Sequence, residues 1–164
     1  MSTDFEDPRL TAMGLFAEAY QGLTNRLSPL FEQHRTSPVE FEVLMRLARS
    51  PERRLRMTDL AAQTSLSTSG VTRVVDRMER DGLVCREACP SDRRSSYAVV
   101  TAAGLSRLDA VVPGLLELLQ QWFVGQLEPD QLDTTLQSLR IIRDAVHPCA
   151  TAGSNGFTDE PDDQ

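Results

Sequence analysis

The middle of the chain, where two short helical segments lie close together, constrains the fold more than any other region. Thr58-Asp59 is a typical helix start and opens a brief apolar helix. A tight turn is predicted at residues 64–67, and a second helix from about Ser67 to Arg80. Apolar residues recur on one face of this second helix, and small polar and basic residues on the other. The sequence therefore predicts two helices joined by a tight turn, the second with a polar and basic face.

Two short strand-like segments follow the second helix. Gly82 is the expected stop of that helix, and residues 83–88 and 95–100 have the composition of strands. Between them, residues 89–94 are polar and contain a proline, which predicts a loop. The pattern indicates a β-hairpin with a basic tip. A further short strand is predicted at residues 55–57.

This order of elements is typical of a winged helix-turn-helix, a DNA-binding unit. An α-helix fits the major groove of B-DNA, and an arginine at a hairpin tip can enter the narrow minor groove. Taken alone, the helix would more often be a surface helix with solvated arginines, and the charged hairpin tip an ordinary turn. Their order in the chain favours DNA binding. The candidate DNA-contacting residues are Ser67, Thr68, Ser69, Thr72, Arg73 and Arg77 on the helix and Asp92, Arg93 and Arg94 at the hairpin tip.

The distribution of charge agrees with this interpretation. The chain has a net charge of −7, which by itself is unusual for a protein that binds nucleic acid. Residues 53–94, however, contain nine arginines and six acidic residues, so this segment carries +3 and the remainder −10. A positive field confined to one segment can engage phosphates, while the acidic remainder limits unspecific binding to polyanions.

The flanking helices have wider apolar faces than a small monomer could cover. The first is predicted from Leu10 to about Ser28, with Pro29 bending or ending it before a short continuation. A capping box at residues 37–40 opens the next helix. A long helix follows Thr101, with a kink at Pro113-Gly114, and a last one begins near residue 129.

The predicted architecture is mainly α-helical with a small β-hairpin wing. Residues 10–36 and 101–147 are expected to form a helical dimerisation lobe, and residues 37–100 the winged helix-turn-helix lobe. Residues 1–9 are interpreted as an N-terminal tail. Residues 148–164 are rich in small and acidic residues, so we expect a disordered acidic tail.

Several runs of residues in this chain resemble the MarR family of regulators. They are Thr58-Asp59-Leu60-Ala61, the run from Ser69 to Val84, Pro90-Ser91-Asp92-Arg93-Arg94-Ser95 and Val100-Thr101-Ala102-Ala103-Gly104. The resemblance covers roughly residues 10–147 and is most specific from the helix-turn-helix to the wing. The Asp-x-Arg motif of the family's wing falls on Asp92 and Arg94. The resemblance implies that Arg94 reaches the minor groove or its phosphates, that Asp92 holds a neighbouring arginine, and that Arg93 adds a phosphate contact.

The same resemblance implies an assembly and a mode of regulation. Terminal helices of two chains would interlock in a homodimer, so that two recognition helices face successive major grooves of double-stranded DNA, with half-sites about 10 bp apart. It also suggests a repressor released by a small-molecule effector, with phenolic or other aromatic acids as the expected chemistry. No pocket residue is identified, since Tyr20, Trp122 and Phe123 are expected in the core.

Two other functions remain open from the sequence alone. A winged helix could use its basic face to bind an acidic protein instead of DNA. Cys85, Cys89 and Cys149 could make the regulator redox-responsive, although structural or incidental cysteines are the default. Four residues of extended strand span about 13 Å, beyond the roughly 7 Å Cα limit of a disulfide, so a Cys85–Cys89 bridge would need a tight bend.

Motifs for catalysis, cofactors, metals and membranes are absent from the sequence. There is no nucleophile elbow, Walker loop or dinucleotide fingerprint, so we expect no enzymatic activity and no cofactor. His34 and His147 lie at no metal-ligand spacing, so we expect no metal site. With neither a run of about 18 apolar residues nor a basic and then apolar N-terminus, the sequence predicts a cytoplasmic protein without a membrane partner.

Overall fold

The computed structural model describes residues 4–64, 66–90 and 92–151. Within these residues the fold consists of six α-helices and one small sheet, which confirms the predicted fold class. The elements are α1 (Pro8–Gln33), α2 (Pro38–Arg49), β1 (Arg54–Arg56), α3 (Met57–Thr64), α4 (Thr68–Arg80), β2 (Val84–Cys89), β3 (Asp92–Val100), α5 (Ala102–Trp122) and α6 (Pro129–Val146). No helix among the described residues is both long and apolar enough to cross a membrane.

The sheet has three antiparallel strands in the order β1-β3-β2. Its first strand confirms the short strand predicted before the helix-turn-helix, one residue earlier than expected. The hairpin differs from the prediction, because residues 89 and 92–94 belong to strands and not to a loop. Cys89 pairs with Asp92, and the register shifts between Ala88 and Cys89, so residues 93–95 lie opposite no residue of β2. Polar composition suggested a loop, but an extended backbone tolerates polar side chains, and residues 93–95 belong to β3 without a partner in β2.

One hydrophobic core fills the space between the helix-turn-helix and the sheet. Val71, Val75 and Met78 of α4 are fully buried, and Leu60 of α3 joins them. The other main members are Val43, Leu44 and Leu47 of α2, Val84, Ala98 and Val100 of the sheet, and Leu108 of α5. Because three apolar positions of α4 fit into this core, the opposite face of α4 must point outwards.

The start of α2 has the predicted capping box. The Ser37 hydroxyl accepts a hydrogen bond from the backbone N–H of Glu40 at 3.2 Å, and the Glu40 carboxylate accepts one from the N–H of Ser37 at 2.8 Å. These bonds satisfy two N–H groups that the first turn of a helix otherwise leaves without partners. The Glu40 side chain is thereby held at the N-terminal end of α2.

The sequence predicted that Pro29 bends or ends the first helix before a short continuation. Pro29 does not end the helix, since α1 runs without a break to Gln33. A proline inside a helix removes one backbone hydrogen bond and costs about 3 kcal/mol. Packing of the last turn offsets this cost, because Phe31 is buried with its ring centroid 5.3 Å from that of Phe41 in α2. Helix α5 likewise continues through Pro113.

The predicted tails also need correction at their inner ends. Helix α1 begins at Pro8, inside the N-terminal tail, and residues 148–151 form a 3-10 turn on the surface of the helix-turn-helix lobe. Ala150 is 5% exposed and its carbonyl accepts a hydrogen bond from Arg46 of α2. His147 Nε2 lies 2.7 Å from the carbonyl oxygen of Ala62 in α3. Residues 1–3 and 152–164 lie outside the described residues.

Candidate nucleic-acid interface

The outward face of α4 brings together all the helical residues that the sequence singled out. Ser67 caps the helix, and its hydroxyl accepts a hydrogen bond from the N–H of Gly70 at 3.0 Å. The predicted contact residues Ser67, Thr68, Ser69, Thr72, Arg73 and Arg77 are all exposed. The cap and the buried apolar face fix both the start and the rotation of α4, so these side chains share one surface.

The two arginines on this surface differ in their surroundings. Among the residues that the structure describes, Arg73 has no hydrogen-bond or ion-pair partner. Arg77, in contrast, donates from Nε to Glu40 Oε1 at 2.6 Å and has a side chain 48% exposed. Arg73 is therefore available for an external ligand, whereas Arg77 also ties α4 to α2. The sequence predicted Arg77 as a contact residue and did not predict this ion pair.

The Glu40 carboxylate is a fixed negative charge behind α4. Burial opposes its ionisation, but the Ser37 N–H, the Arg77 guanidinium and the Ser37 hydroxyl together hold its pKa below the ordinary value of 4.5. Its side chain is 10% exposed and that of Arg77 is 48% exposed, so solvent screens the pair only in part. The ionised pair contributes to the stability of the fold.

This contribution should depend on pH in a defined direction. The folded-state pKa of Glu40 lies below the unfolded-state value, so the stabilisation is complete above about pH 4.5 and is lost as the pH falls through the folded-state pKa. We expect Glu40→Gln to lower the free energy of unfolding by about 1–3 kcal/mol at pH 7, and the difference from the parent to shrink below pH 4.5. Urea unfolding at several pH values measures this.

Glu42→Gln is the matched control for that experiment. Glu42 lies on the same helix and forms a partly exposed i,i+4 pair with Arg46 at 3.5 Å, and helix pairs of this kind are worth about 0.3–0.5 kcal/mol. An equal loss of stability in the two variants would contradict a special role of Glu40.

A second residue that sequence analysis missed is Arg86 of β2. Its guanidinium lies 2.6 Å from Asp76 Oδ1 and 2.7 Å from Glu79 Oε2, both carboxylates of α4. The only signal in the sequence was the expected position of the hairpin directly after α4. Side-chain periodicity relates residues within one element and cannot pair Arg86 with a different element.

The three predicted contact residues of the wing, Asp92, Arg93 and Arg94, belong to β3. Their side chains lie outside the described part of the structure, as does Ser91. Their roles at the minor groove therefore stay predictions. Nearer the base of the wing, Tyr97 of β3 accepts a hydrogen bond from Arg56 Nε at 3.4 Å and lies 4.7 Å below the guanidinium of Arg54.

The three cysteines all lie within the described residues and form no disulfide. Cys85 and Cys149 are exposed, whereas Cys89 is 2% exposed and its thiol lies 3.9 Å from the Tyr97 hydroxyl. The burial of Cys89 leaves little access for an oxidant.

Helix α3, a short turn, helix α4 and the three-stranded sheet together define a winged helix-turn-helix protein. A sequence model of the MarR family matches residues 36–95. The HTH-type transcriptional regulator YkoM of Bacillus subtilis is 32% identical over 127 residues, which are 77% of this chain and 80% of that protein. The chain belongs to the MarR family of transcriptional regulators, as the sequence motifs suggested.

Solved structures give the same result. The MarR family regulator Sco3205 from Streptomyces coelicolor, crystallised in complex with DNA, is 32% identical with a TM-score of 0.79, over 85% of this chain and 88% of that chain. The MarR family regulator AbsC from the same organism is 31% identical with a TM-score of 0.80, over 87% of this chain and 96% of that chain.

Proposed function

We propose that this protein is a homodimeric regulator that binds a pseudo-palindromic operator in duplex DNA through α4. The observation that carries the proposal is the exposed face of α4, where small hydroxyl side chains surround an arginine with no partner among the described residues. Hydroxyl groups and arginine are the side chains that contact phosphates and base edges in the major groove. Sco3205, with a similar fold, was crystallised with DNA.

The proposed wing contact complements the helix. With α4 in the major groove, Arg94 would enter the adjacent minor groove, with Arg93 on a phosphate and Asp92 holding a neighbouring arginine. A narrow minor groove has an enhanced negative potential, which favours an inserted arginine. The wing would therefore favour operators with A·T-rich flanks.

The proposed dimer rests on α1, α5 and α6, the elements assigned to a dimerisation lobe. Helix α6 has no residue buried in the single chain, and Ile142 and Val146 on it are 53% and 76% exposed. On α1, Phe16 is 50% exposed, and Tyr20, which the sequence predicted in the core, is 65% exposed in the single chain, as Trp122 of α5 is 38% exposed. Apolar surface of this extent is typical of an interface, and a two-fold dimer would place two copies of α4 about one DNA turn apart.

The proposal includes repression, and release of the protein from DNA by a small molecule. The homoprotocatechuate degradative operon repressor of Escherichia coli is 29% identical to this chain over 87 residues. This similarity supports repression, and the aromatic acid in the name of that repressor supports an aromatic acid as the effector. A cytoplasmic location is part of the same proposal. Such an effector changes DNA binding only if it binds two arrangements of the lobes with different affinities.

Enrichment of bound sequences from a randomised duplex pool tests the proposed function. We expect a palindrome with half-sites about 10 bp apart, and an affinity that falls steeply between 50 and 200 mM salt. Failure to enrich any sequence, with only weak salt-sensitive binding, would instead support a winged-helix module that binds an acidic protein.

Single arginine variants test the contact residues on the enriched operator. We expect Arg73→Ala and Arg94→Ala each to weaken binding by about 1–3 kcal/mol, roughly 5- to 150-fold, because each loses a contact with a base edge or phosphate. Fluorescence anisotropy measures the affinity. Arg49→Ala, an exposed arginine at the end of α2, is the control and should change affinity little. Parent-like binding by Arg73→Ala would refute its assignment.

A further inference from the structure

The proposed DNA-reading face of α4 contains a carboxylate that should oppose DNA binding. Asp76 follows Thr72 by four residues and Ser69 by seven, so it lies on the same side of the helix. Its side chain is 50% exposed, and Glu79, one turn further on, is 39% exposed. Two carboxylates at this position would repel the phosphates of a duplex whose major groove holds α4.

Arg86 of β2 lies against both of these carboxylates. Its Nη2 is 2.6 Å from Asp76 Oδ1 and its Nη1 donates to Glu79 Oε2 at 2.7 Å. The backbone N–H of Arg86 also donates to Glu79 Oε1 at 3.0 Å. One residue therefore makes three polar contacts with α4.

The guanidinium of Arg86 is less exposed than the two carboxylates that it contacts. Its side chain is 26% exposed. Burial disfavours the charged guanidinium, but the Asp76 and Glu79 carboxylates outweigh burial and raise the pKa of Arg86 above its ordinary value. An arginine guanidinium stays charged around neutral pH, so Arg86 offsets one of the two negative charges there.

The position of Arg86 also bears on the orientation of α4. Glu40 of α2 holds α4 through Arg77, and Arg86 of β2 holds it through Asp76 and Glu79. Two different elements thus hold the helix by ion pairs. A rotation of α4 about its axis would lengthen these contacts.

We propose that Arg86 is a positioning residue for DNA recognition, which offsets part of the negative charge of Asp76 and Glu79 and fixes the rotation of α4 against the wing. This inference rests on the proposed DNA binding. Arg86 acts through α4 and is itself not assigned a contact with DNA. Its effect on affinity should therefore depend on whether the two carboxylates are present.

A double-mutant cycle on the enriched operator tests the inference. At 50 mM salt we expect Arg86→Met to weaken binding about tenfold or more, because two uncompensated carboxylates then face the phosphates. The loss should shrink as added salt screens the repulsion. Asp76→Asn with Glu79→Gln should raise the affinity of Arg86→Met severalfold, because the repulsion is removed, but not to the parent value, because the ion pairs that fix α4 are still missing. The same two changes should give no such gain in the parent, where Arg86 already offsets the carboxylates.

Two controls separate this role from a general loss of structure or charge. Arg80→Met removes the same charge from the end of α4, where Arg80 bonds to the backbone carbonyl of Asp76 and to no carboxylate within the described part of the chain. In the Arg80→Met background, Asp76→Asn with Glu79→Gln should raise the affinity for DNA no more than in the parent. Amide hydrogen exchange of α4 in free protein gives a readout without DNA, and exchange should be faster in Arg86→Met.

Each outcome decides between the hypotheses. Parent-like affinity of Arg86→Met at low salt would overturn the inference and leave the proposed function intact. If Asp76→Asn with Glu79→Gln raises the affinity for DNA equally in the parent and in Arg86→Met, the inference is also overturned. That result would indicate a direct phosphate contact by Arg86. A parent protein that enriches no DNA would overturn the proposed function and this inference with it.

Discussion

Replacing Gly104 by alanine should lower the free energy of unfolding by about 3 kcal/mol, because the first turn of α5 leaves no space for a side chain. A β-carbon at this position would lie 2.2 Å from the backbone carbonyl oxygen of Leu83 and 2.7 Å from a methyl carbon of Val100. Both neighbours belong to the wing or to its junction with α4. Because one of the clashing atoms is backbone, a change of rotamer cannot relieve the overlap.

The consequences of this substitution should reach beyond stability. Thr101, which caps α5 by accepting from the N–H of Gly104 at 3.1 Å, also donates from its hydroxyl to the Gly82 carbonyl at 2.7 Å. The start of α5 is therefore tied to the turn between α4 and β2. Any shift that accommodates the new β-carbon must move the wing relative to α4, so even folded Gly104→Ala protein should bind DNA less tightly.

Chemical denaturation of the variant and a matched control tests this. Gly22→Ala places the same methyl group in the interior of α1, where nothing lies within 4 Å of it. That change should stabilise the protein by about 0.5–1 kcal/mol, since alanine has the higher helix propensity. If Gly104→Ala unfolds at the same denaturant concentration as the parent, that result would contradict the close packing of Gly104 against Leu83 and Val100.

The parts of the fold that the sequence predicted are those set by local interactions. The capping box at Ser37 joins residues three apart, and the two faces of α4 follow from helical periodicity alone. The candidate contact residues on α4 were therefore found together on its outward face. Local patterns carry this information because all the interacting groups lie within one or two turns of helix.

The parts that the sequence did not predict depend on residues far apart in the chain. Arg77 and Glu40 are 37 residues apart, and Arg46 and Ala150 are 104 apart. The continuation of α1 beyond Pro29 likewise depends on the contact of Phe31 with another helix. No periodicity or composition reports such contacts, because each depends on how separate elements pack. The C-terminal turn at residues 148–151 was misread for the same reason, since its small and polar residues suggested disorder until their packing was visible.

Ile142→Glu should dissociate the proposed homodimer, because it places a charge in the apolar face that α6 presents to its partner. Ile142 is 53% exposed in the single chain, and the neighbouring Ile141 and Val146 are 72% and 76% exposed. Loss of a central interface side chain costs about 2–4 kcal/mol, and burying an unpaired charge adds to this. A two-fold interface contains the substitution twice. The dissociation constant should therefore rise at least about 100-fold, which sedimentation velocity over a range of concentrations measures.

The effect on DNA binding follows from the geometry of a two-fold complex. A single protomer contacts one half-site, so Ile142→Glu should lose the tight binding to a paired site while α3 and α4 remain folded, as circular dichroism would verify. Gln137→Glu is the control, since it adds the same charge to an exposed polar position of α6 and should leave the dimer intact. If Ile142→Glu stays dimeric at the concentrations at which the parent does, the interface does not include this face of α6. The half-site spacing inferred from the interlocked helices would then have no structural basis, and operator recognition would have to be explained by a different arrangement of the two α4 helices.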